Sequence, residues 1–368
     1  MKSICMVTTS EIFHDTRIIN EAATLAKKDE VTILARRYPG QKISKFPFKT
    51  KLISYLKMPL SQLNIFSSLL SLMKAAFKQN PDIYHAHDLD GLLCAFPAAL
   101  LKGKILIYDS HELWSATFPF ANLRGLQWLL PALEKALIWR VHSGITVNRS
   151  IADYLSKKYH KTFLSLYNYP MSTKTRKTYS LRKKFPNKKI ILHLGSADEG
   201  RGLEQIIKAA QYLPNSFIVV FLGGGKTEKL IKNEVDKLRL KDKIFFLPAV
   251  LPEEIIETIK EADLGLALTQ KISLSYYYSL PNKIFQYLAS GLPILGSNFP
   301  EFKKVIIANS IGETVDPSKP KLIARKIQKI SMSEKQAFYR RHLAHPSQRL
   351  YNWNIEAKKL IKFYQSII

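Results

Sequence analysis

The apolar and polar positions of this chain alternate between two patterns for most of its length. Short apolar runs, typical of buried strands, are followed by longer stretches in which apolar residues recur every three or four positions, as on one face of a helix. This alternation favours βαβ units and parallel sheets. In the first half it predicts strands over 3–9, 30–36, 51–56, 82–87, 104–110, 144–148 and 163–168, and helices over 15–28, 63–79, 92–102 and 150–159.

The alternation stops once, in a polar and basic stretch, and then restarts. Residues 171–189 contain eight basic side chains and no acidic ones, so we interpret them as a linker with room for a short helix. The later strands are predicted over 190–196, 217–225, 243–250, 263–269 and 293–297, with helices beginning near Arg201, Thr227, Pro252 and Asn282.

The fold class that follows is α/β, with two Rossmann-like doubly wound parallel-sheet domains. We place them at 1–170 and 190–349, on either side of the linker at 171–189. A final amphipathic segment, 350–368, is expected to form a helix that packs back across the domain junction. Because ligands of such sheets bind at the carboxyl ends of the strands, the chemistry should lie there.

Polar side chains do follow the predicted strands of the first half. His87 and Asp88 follow one strand, and His111 and Glu112 follow the next. A histidine at a strand end can act as a general base or bind a hydroxyl, or it can simply cap a loop. Asp88 and Asp90 form an Asp-x-Asp pair that could hold a divalent ion, but a helix N-cap is the simpler role and the one we favour.

Two glycine-rich turns follow strands of the second half. Gly200 and Gly202 flank Arg201, an arrangement that exposes backbone N–H groups and a guanidinium to an anion. Gly223 and Gly224, in the turn FLGGGKTEKL, would let a ligand approach the backbone closely. Either turn could equally be an ordinary connection between a strand and the following helix.

The stretch SYYYSLPNKIFQYLASGLPIL, 275–295, predicts a helix with polar residues at its mouth. Asn282, Lys283 and Gln286 are spaced to lie near one face, at the end of the helix that favours an anion. A phosphate with sugar hydroxyls beside it would suit this corner. The alternative is a capped amphipathic helix whose apolar residues are simply core.

Charge and hydropathy limit the classes of partner and location. The 368 residues carry a net charge of +27, yet no helix-turn-helix, zinc-finger spacing or RNP-like strand indicates nucleic acid. The N-terminus lacks the features of a secretory signal, no apolar run is long enough to span a bilayer, and the two cysteines lie far apart. We therefore expect a cytoplasmic protein, with an anionic membrane surface as one partner if the aromatic segment 113–140 docks there rather than packing in the core.

Several segments in order resemble the GT-B glycosyltransferases, specifically the retaining family 4 type of bacterial surface-polysaccharide pathways. The matching segments cover essentially the whole chain, and are DTRIINEAATLAKKDEVTILAR, DIYHAHDLDGL, IYDSHELWS, ITVNRSIADYLSKKY, LYNYP, GRGLEQIIKAA and YYYSLPNKIFQYLASGLPILGSNFPE. The resemblance implies two domains facing a central cleft. It also implies transfer from a nucleotide-diphosphate sugar, for which we expect UDP, to a glycan acceptor that we expect to be lipid-linked.

The resemblance also assigns roles to single residues. Arg201 matches the family's phosphate-binding lysine, Lys283 lies on the other side of the expected diphosphate, and His111 matches a histidine that contacts the transferred sugar. No cofactor and no metal is implied. The remaining expected contacts are, on the donor side, Gly200, Gly223, Gly224, Pro248, Asn282 and Gln286, and on the acceptor side His14, His87, Asp88, Glu112 and Trp114.

One departure from the family weakens this assignment. The family's Glu-x7-Glu pattern would place carboxylates at Tyr278 and Gln286, and this chain has neither. Exchanging the second carboxylate for an amide would cost about 1–2 kcal/mol of donor binding. A UDP-sugar 2-epimerase of the same fold and a non-catalytic GT-B subunit therefore stay as alternatives, and a nucleic-acid binder is the least favoured.

Overall fold

The computed structural model describes residues 1–38, 46–56, 61–116, 126–169, 179–344 and 351–367, without the side chains at positions 14, 61, 62, 115, 126 and 127. The described residues form two units, one comprising Met1–Asn168 with Trp353–Ile368, the other Tyr169–Asn352. The first eight positions of the predicted linker, 171–178, lie outside the described residues. Its last part contains the short helix Leu181–Lys184, whose N-cap Ser180 accepts a hydrogen bond from the Lys183 N–H.

The first unit is built on seven parallel strands, and all seven were predicted from the apolar runs. Their bounds are β1 Ser3–Thr8, β2 Glu30–Arg36, β3 Lys49–Ile53, β4 Ile83–His87, β5 Ile105–Ser110, β6 Ser143–Thr146 and β7 Phe163–Ser165. The sheet order is β3-β2-β1-β4-β5-β6-β7. The order reverses between β1 and β4, so the carboxyl ends of these strands form the crevice in which doubly wound sheets bind ligands.

Helices cover both faces of this sheet. They are α1 Thr16–Leu25, α2 Ser61–Phe77, α3 Asp88–Leu101, α4 Leu126–Ile138, α5 Arg149–Tyr159 and, from the end of the chain, α15 Trp353–Ser366. Asp15 caps α1 and Asn148 caps α5, each accepting a hydrogen bond from a backbone N–H of the first turn. The C-terminal helix α15 packs on α1, and its Trp353, Leu360 and Tyr364 join the buried core of the first unit.

The second unit repeats the architecture with six parallel strands. They are β8 Lys189–Leu194, β9 Phe217–Leu222, β10 Ile244–Leu247, β11 Leu264–Ala267, β12 Ile294–Ser297 and β13 Gly312–Val315, in the order β10-β9-β8-β11-β12-β13. The helices are α6 Leu181–Lys184, α7 Leu203–Ala210, α8 Glu228–Lys237, α9 Ile255–Ile259, α10 Leu274–Tyr278, α11 Lys283–Ala289, α12 Pro300–Phe302, α13 Pro320–Ile330 and α14 Ser333–Ala344.

The sequence pattern missed six of the strands and helices named above, two of which are the short helices α10 and α12. β13 has the sequence GETV, which contains no apolar run, and α14 is polar at most positions. α13 has a clear apolar stripe in Ile323, Ile327 and Ile330, which the pattern analysis passed over, and α4 was treated only as an aromatic segment. Among the described helices, none is both long and apolar enough to cross a bilayer. The two cysteines are buried and unpaired.

Candidate active site

Three basic side chains meet at the carboxyl end of β8 in the second unit. His193, fully buried in β8, accepts a hydrogen bond from Lys283 at the start of α11, with 3.0 Å between Nε2 and Nζ. Arg201 lies in the turn between β8 and α7, with its guanidinium 5.4 Å above the ring of Tyr276. The helix that carries Lys283 is held against the strand by Tyr287, whose hydroxyl accepts from the Leu194 N–H at 2.9 Å.

The electrostatics of this cluster are those of a site for an anion. Burial lowers the pKa of Lys283 well below its usual range, and the charge of Arg201 lowers it further. Burial, Lys283 and Arg201 likewise lower the pKa of His193. The Nε of Arg201 is buried and has no hydrogen-bond partner among the described residues. A buried donor without a partner is costly, and a bound anion would both satisfy it and favour the charged form of Lys283.

The glycines of the two turns are explained mainly by contacts within the chain. A Cβ on Gly202, which has a φ of +75°, would lie 2.0 Å from the carbonyl oxygen of Leu268, and one on Gly223 would lie 2.6 Å from that of Gly195. The close approach of these two backbone segments already requires a glycine at position 223, so a bound ligand is not needed to explain this residue. A Cβ on Gly200 would lie 2.5 Å from side-chain atoms of Ile272 and Tyr276. Gly224 has room for a Cβ, with its nearest neighbour at 3.5 Å.

The other residues expected on the donor side lie at the same end of the sheet or next to Lys283. Pro248 is exposed directly after β10, and the carbonyl of the preceding Leu247 accepts a hydrogen bond from the Gly223 N–H. Asn282 is exposed and its side chain makes no capping hydrogen bond, while Gln286 is half-buried one turn into α11. Pro248, Asn282 and Gln286 therefore lie in the same part of the second unit as the basic cluster.

In the first unit, His111 lies between two carboxylates at the ends of β4 and β5. Its Nε2 is 3.4 Å from Oδ2 of Asp109, and its Nδ1 is 3.5 Å from Oδ2 of Asp88. The backbone N–H of His111 also donates to Asp88 at 2.9 Å. Asp88 has a φ of +60°, a backbone conformation that costs energy for a residue other than glycine and that often occurs at functional sites.

Asp109 also belongs to a buried ionic network that lies behind His111. Arg17 of α1 donates two hydrogen bonds to the Asp109 carboxylate, at 2.8 and 3.0 Å, and its Nε lies 3.1 Å from Glu21. His85 lies close to both carboxylates, and its Nδ1 accepts a 2.7 Å hydrogen bond from Tyr364 of α15. The network therefore links the strand ends to the C-terminal helix.

The charges of this network are set by burial and by its internal pairs. Burial opposes the charge of His111, but Asp88 and Asp109 raise its pKa to about 10. Burial raises the pKa of Asp88 to about 6. Although burial also disfavours the charged form of Asp109, Arg17 and His111 hold its pKa well below the usual range, whereas burial and Asp109 raise that of Glu21. His111 is thus held as an imidazolium by a carboxylate on each side.

Four members of the network have atoms placed as metal ligands would be. Glu21, His85, His87 and Asp109 each offer one such atom, all within 4.8 Å of one another. Arg17, however, already pairs with both carboxylates and brings a positive charge into the same space. The donor set is therefore better matched to the guanidinium than to a second cation.

The structure corrects two details of the expected acceptor side. His87 is fully buried behind His111, with 3.2 Å between its Nδ1 and the His111 Nε2, so it supports that ring from the interior. The N-cap role favoured for Asp88 and Asp90 is wrong, because Asp88 accepts from His111 and Asp90 accepts from Thr9 and the Gly91 N–H.

The remaining acceptor-side residues fall near this point or outside the description. Glu112 is exposed directly after His111, and Trp114 begins the short 3-10 helix Trp114–Ala116. The side chain of His14 lies outside the described residues, as do the aromatic residues at positions 118 and 120.

Sequence analysis missed His193, Asp109, Arg17 and Glu21. His193 is the only polar residue in the apolar run 190–194, and such a residue in a buried strand needs a partner. Arg17 and Glu21 lie on the buried stripe of α1 beside Ile18 and Leu25, which an amphipathic helix normally keeps apolar. Charged residues on the otherwise apolar face of α1 are the feature of the sequence from which Arg17 and Glu21 could have been identified.

Two family descriptions match the chain, and together they cover most of it. "Glycosyltransferase Family 4" matches residues 15–162, which contain the His111 site, and "Glycosyl transferases group 1" matches residues 176–342, which contain the basic cluster. The chain belongs to the family 4 glycosyltransferases. The resemblance inferred from the sequence motifs is thereby confirmed.

Solved structures agree with this assignment at the level of the fold. The sucrose-phosphate synthase of Thermosynechococcus elongatus matches with a TM-score of 0.81 and 15% identity, covering 100% of this chain and 99% of its own. HepE of Anabaena, in complex with UDP-glucose, has a TM-score of 0.76 and 14% identity, with both chains covered at 100%. The lipopolysaccharide outer core galactosyltransferase WaaB has a TM-score of 0.68 and 13% identity, again over 100% of both chains.

At these identities the likeness establishes the GT-B fold of this glycosyltransferase, and the expected fold class is confirmed. By sequence, none of the curated proteins matches the chain. The substrates must therefore be argued from the site itself.

Proposed function

We propose that the chain is a retaining glycosyltransferase that moves a sugar from a UDP-sugar to a lipid-linked glycan during synthesis of a surface polysaccharide. The observation that carries the proposal is the basic cluster of His193, Arg201 and Lys283, which lies within the matched group 1 region and has no carboxylate partner among the described residues. A diphosphate supplies the counter-charge that this cluster lacks. UDP is the favoured nucleotide because HepE, with the same fold, was solved with UDP-glucose.

The proposed chemistry follows from where charge develops. Breaking the bond between the anomeric carbon and the diphosphate oxygen leaves negative charge on the diphosphate and positive charge on the sugar. Arg201 and Lys283 would stabilise the leaving group without a metal ion. A new bond to the acceptor hydroxyl forms on the same face of the sugar, and the hydroxyl proton passes to the departing diphosphate. In the first unit, the His111 imidazolium would be the group that donates a hydrogen bond to a sugar hydroxyl.

A lipid-linked acceptor is supported by exposed apolar side chains on the first unit. α2 exposes Ile65 and Phe66 at 55% and 61%, and α4 exposes Trp128 at 76%. α2 packs on α3 and α3 packs on α4, so these helices are neighbours on one side of the sheet. Apolar groups on a chain with a net charge of +27 suit an anionic membrane surface, where each basic residue near the surface contributes about 1 kcal/mol.

The first test is a thermal-shift panel with UDP, GDP, ADP and CMP, each with Mg²⁺ and with EDTA. A ligand at 100 times its dissociation constant adds about 2.7 kcal/mol to the folded state. We expect stabilisation by UDP in both conditions, and its loss in Arg201→Ala. Arg325→Ala removes an exposed arginine of α13 and is the matched control that should keep the full shift.

Transfer itself is tested with membrane lipid extracts as the acceptor and UDP-sugars as donors, and NMR of the product reports the anomeric configuration. A retained configuration on a lipid-linked product supports the proposal. Free epimerised sugar formed without acceptor would instead indicate the epimerase. Failure of every nucleotide to stabilise the protein would favour a non-catalytic subunit.

A further inference from the structure

Lys283 has no counter-charge on the elements packed around it. Its described neighbours are His193 from β8, which accepts its hydrogen bond, and Arg201, which repels it. α9 also packs on α11, but its one carboxylate, Glu257, pairs with Lys260. The neighbouring strands β11 and β12 carry no ionisable side chain.

The other ionisable groups nearby do not supply the missing charge. Tyr276 stacks with Arg201, and the Tyr287 hydroxyl is occupied by the backbone of β8 and β11. His193 is fully buried, so a second positive charge on its ring would face both Lys283 and Arg201. In this setting the uncharged amine of Lys283 is favoured until an anion arrives.

We propose that the diphosphate of the donor binds with the uptake of one proton from solvent, which converts the Lys283 amine beside His193 into an ammonium. This inference rests on the proposed function, since it requires a diphosphate at the basic cluster. The neutral His193 ring then holds the new ammonium through the 3.0 Å hydrogen bond, while the two remaining N–H groups donate to phosphate oxygens.

The pH dependence follows from the two states of Lys283. Its pKa is low in the free protein and higher beside the diphosphate, so binding takes up a proton at any pH between the two values. In that interval affinity falls as the pH rises, by up to about tenfold per pH unit for one proton. Below the interval Lys283 is charged both with and without the diphosphate, so its ionisation no longer makes the affinity depend on pH.

The same coupling would favour the transfer step. The diphosphate carries more negative charge after the sugar has left than before, so the ammonium interacts more strongly with the product than with the donor. Lys283 would then act as an adjustable charge, present when the leaving group needs it. An arginine at this position would be charged at all times.

Calorimetric titration with UDP at pH 8 tests the inference directly. At this pH the terminal phosphate of UDP, which ionises near pH 6, has already lost its proton. Titrations in two buffers with different heats of ionisation give the number of protons taken up per UDP bound. Lys283→Arg keeps the charge but cannot lose it, and Lys241→Arg, at a side chain 72% exposed, is the matched control.

We expect uptake approaching one proton in the wild type and in Lys241→Arg, and none in Lys283→Arg, whose affinity should also not change with pH around pH 8. UDP binding without proton uptake in the wild type overturns the inference and leaves the proposed function standing. Uptake that persists in Lys283→Arg assigns the proton to another group and also overturns it. Absence of UDP binding in the wild type overturns the proposed function and this inference with it.

Discussion

The Nε2 atom of His111 lies 3.4 Å from Oδ2 of Asp109. Asp109 in turn receives two hydrogen bonds from the Arg17 guanidinium, so the strand-end histidine is connected to α1 through a single carboxylate. On its other side the ring faces Asp88, whose backbone is strained. The position and charge of His111 therefore depend on residues of three separate elements.

The charge of His111 should depend on Asp88. In the wild type the two carboxylates raise the pKa of His111 to about 10, and Asp88→Asn should lower it by about 1–3 units, the usual effect of one nearby opposite charge. An NMR titration of the imidazole resonances measures this without any substrate. Asp153→Asn, on the exposed face of α5, should leave the His111 titration unchanged.

The contact between Asp88 and His111 should also make the free energy of unfolding depend on pH. The folded pKa of His111 lies above the unfolded value of about 6.5, so the stabilisation is fully present below pH 6.5 and is lost as the pH rises towards 10. Urea unfolding should show the difference between wild type and Asp88→Asn shrinking over this interval. A difference that grows with pH would contradict the assignment.

Removing the Tyr364 hydroxyl should weaken the attachment of α15. Tyr364→Phe keeps the ring but leaves the buried Nδ1 of His85 without its 2.7 Å hydrogen bond, which should cost about 1–2 kcal/mol in the free energy of unfolding. Tyr212→Phe, at a site 47% exposed, is the control and should change little. Equal urea midpoints for the two variants would show that the hydrogen bond is not formed in solution.

Two glycines with similar backbone angles separate strain from steric clash. Gly202 and Gly291 have φ values of +75° and +68°, but a Cβ on Gly202 would lie 2.0 Å from the Leu268 carbonyl oxygen, whereas one on Gly291 would meet nothing within 4 Å. Gly291→Ala should cost about 1–2 kcal/mol for the left-handed backbone alone. Gly202→Ala should cost roughly 1–3 kcal/mol more because the turn must shift. Thermal unfolding compares them, and equal losses would contradict the clash.

The sequence could predict the order of strands and helices because each buried strand needs an apolar run and each covering helix an apolar stripe. It could also place His111, Arg201 and Lys283 at strand ends and helix starts. What it could not give is the partner of each group. Asp109 pairs with Arg17, ninety-two positions away in the chain, and only the parallel register of β1, β4 and β5 brings them together.

The basic cluster shows the same limit. His193 and Lys283 are ninety positions apart, and their contact depends on how α11 lies against the end of β8. The glycines show a related limit, since a pattern such as Gly-Gly-Gly does not distinguish a backbone approached by a ligand from one approached by another strand. Here Gly223 meets Gly195 of the same unit.

Restoring a carboxylate at Gln286 should strengthen donor binding. If Gln286 of α11 lies beside the ribose hydroxyls, Gln286→Glu exchanges neutral hydrogen bonds for charge-assisted ones and should tighten UDP binding by about 1–2 kcal/mol, or roughly 5–30-fold. Calorimetry measures the dissociation constant. Gln211→Glu adds the same charge at an exposed site at the end of α7 and should leave it unchanged. Weaker binding in Gln286→Glu would place this side chain next to the phosphates instead.

Membrane attachment should depend on the exposed apolar face of α2. Phe66 is 61% exposed, and burying its ring in the interface of a bilayer is worth about 1.5–3 kcal/mol, so Phe66→Ser should weaken binding to vesicles that contain an anionic phospholipid by about tenfold or more. Leu230→Ser is the matched control, because Leu230 is 69% exposed but lies on α8 of the second unit. Flotation of both variants with neutral and anionic vesicles separates the apolar from the electrostatic contribution. If Phe66→Ser and Leu230→Ser float to the same extent as the wild type, Phe66 does not enter the bilayer and the exposed face of α2 is not the contact surface.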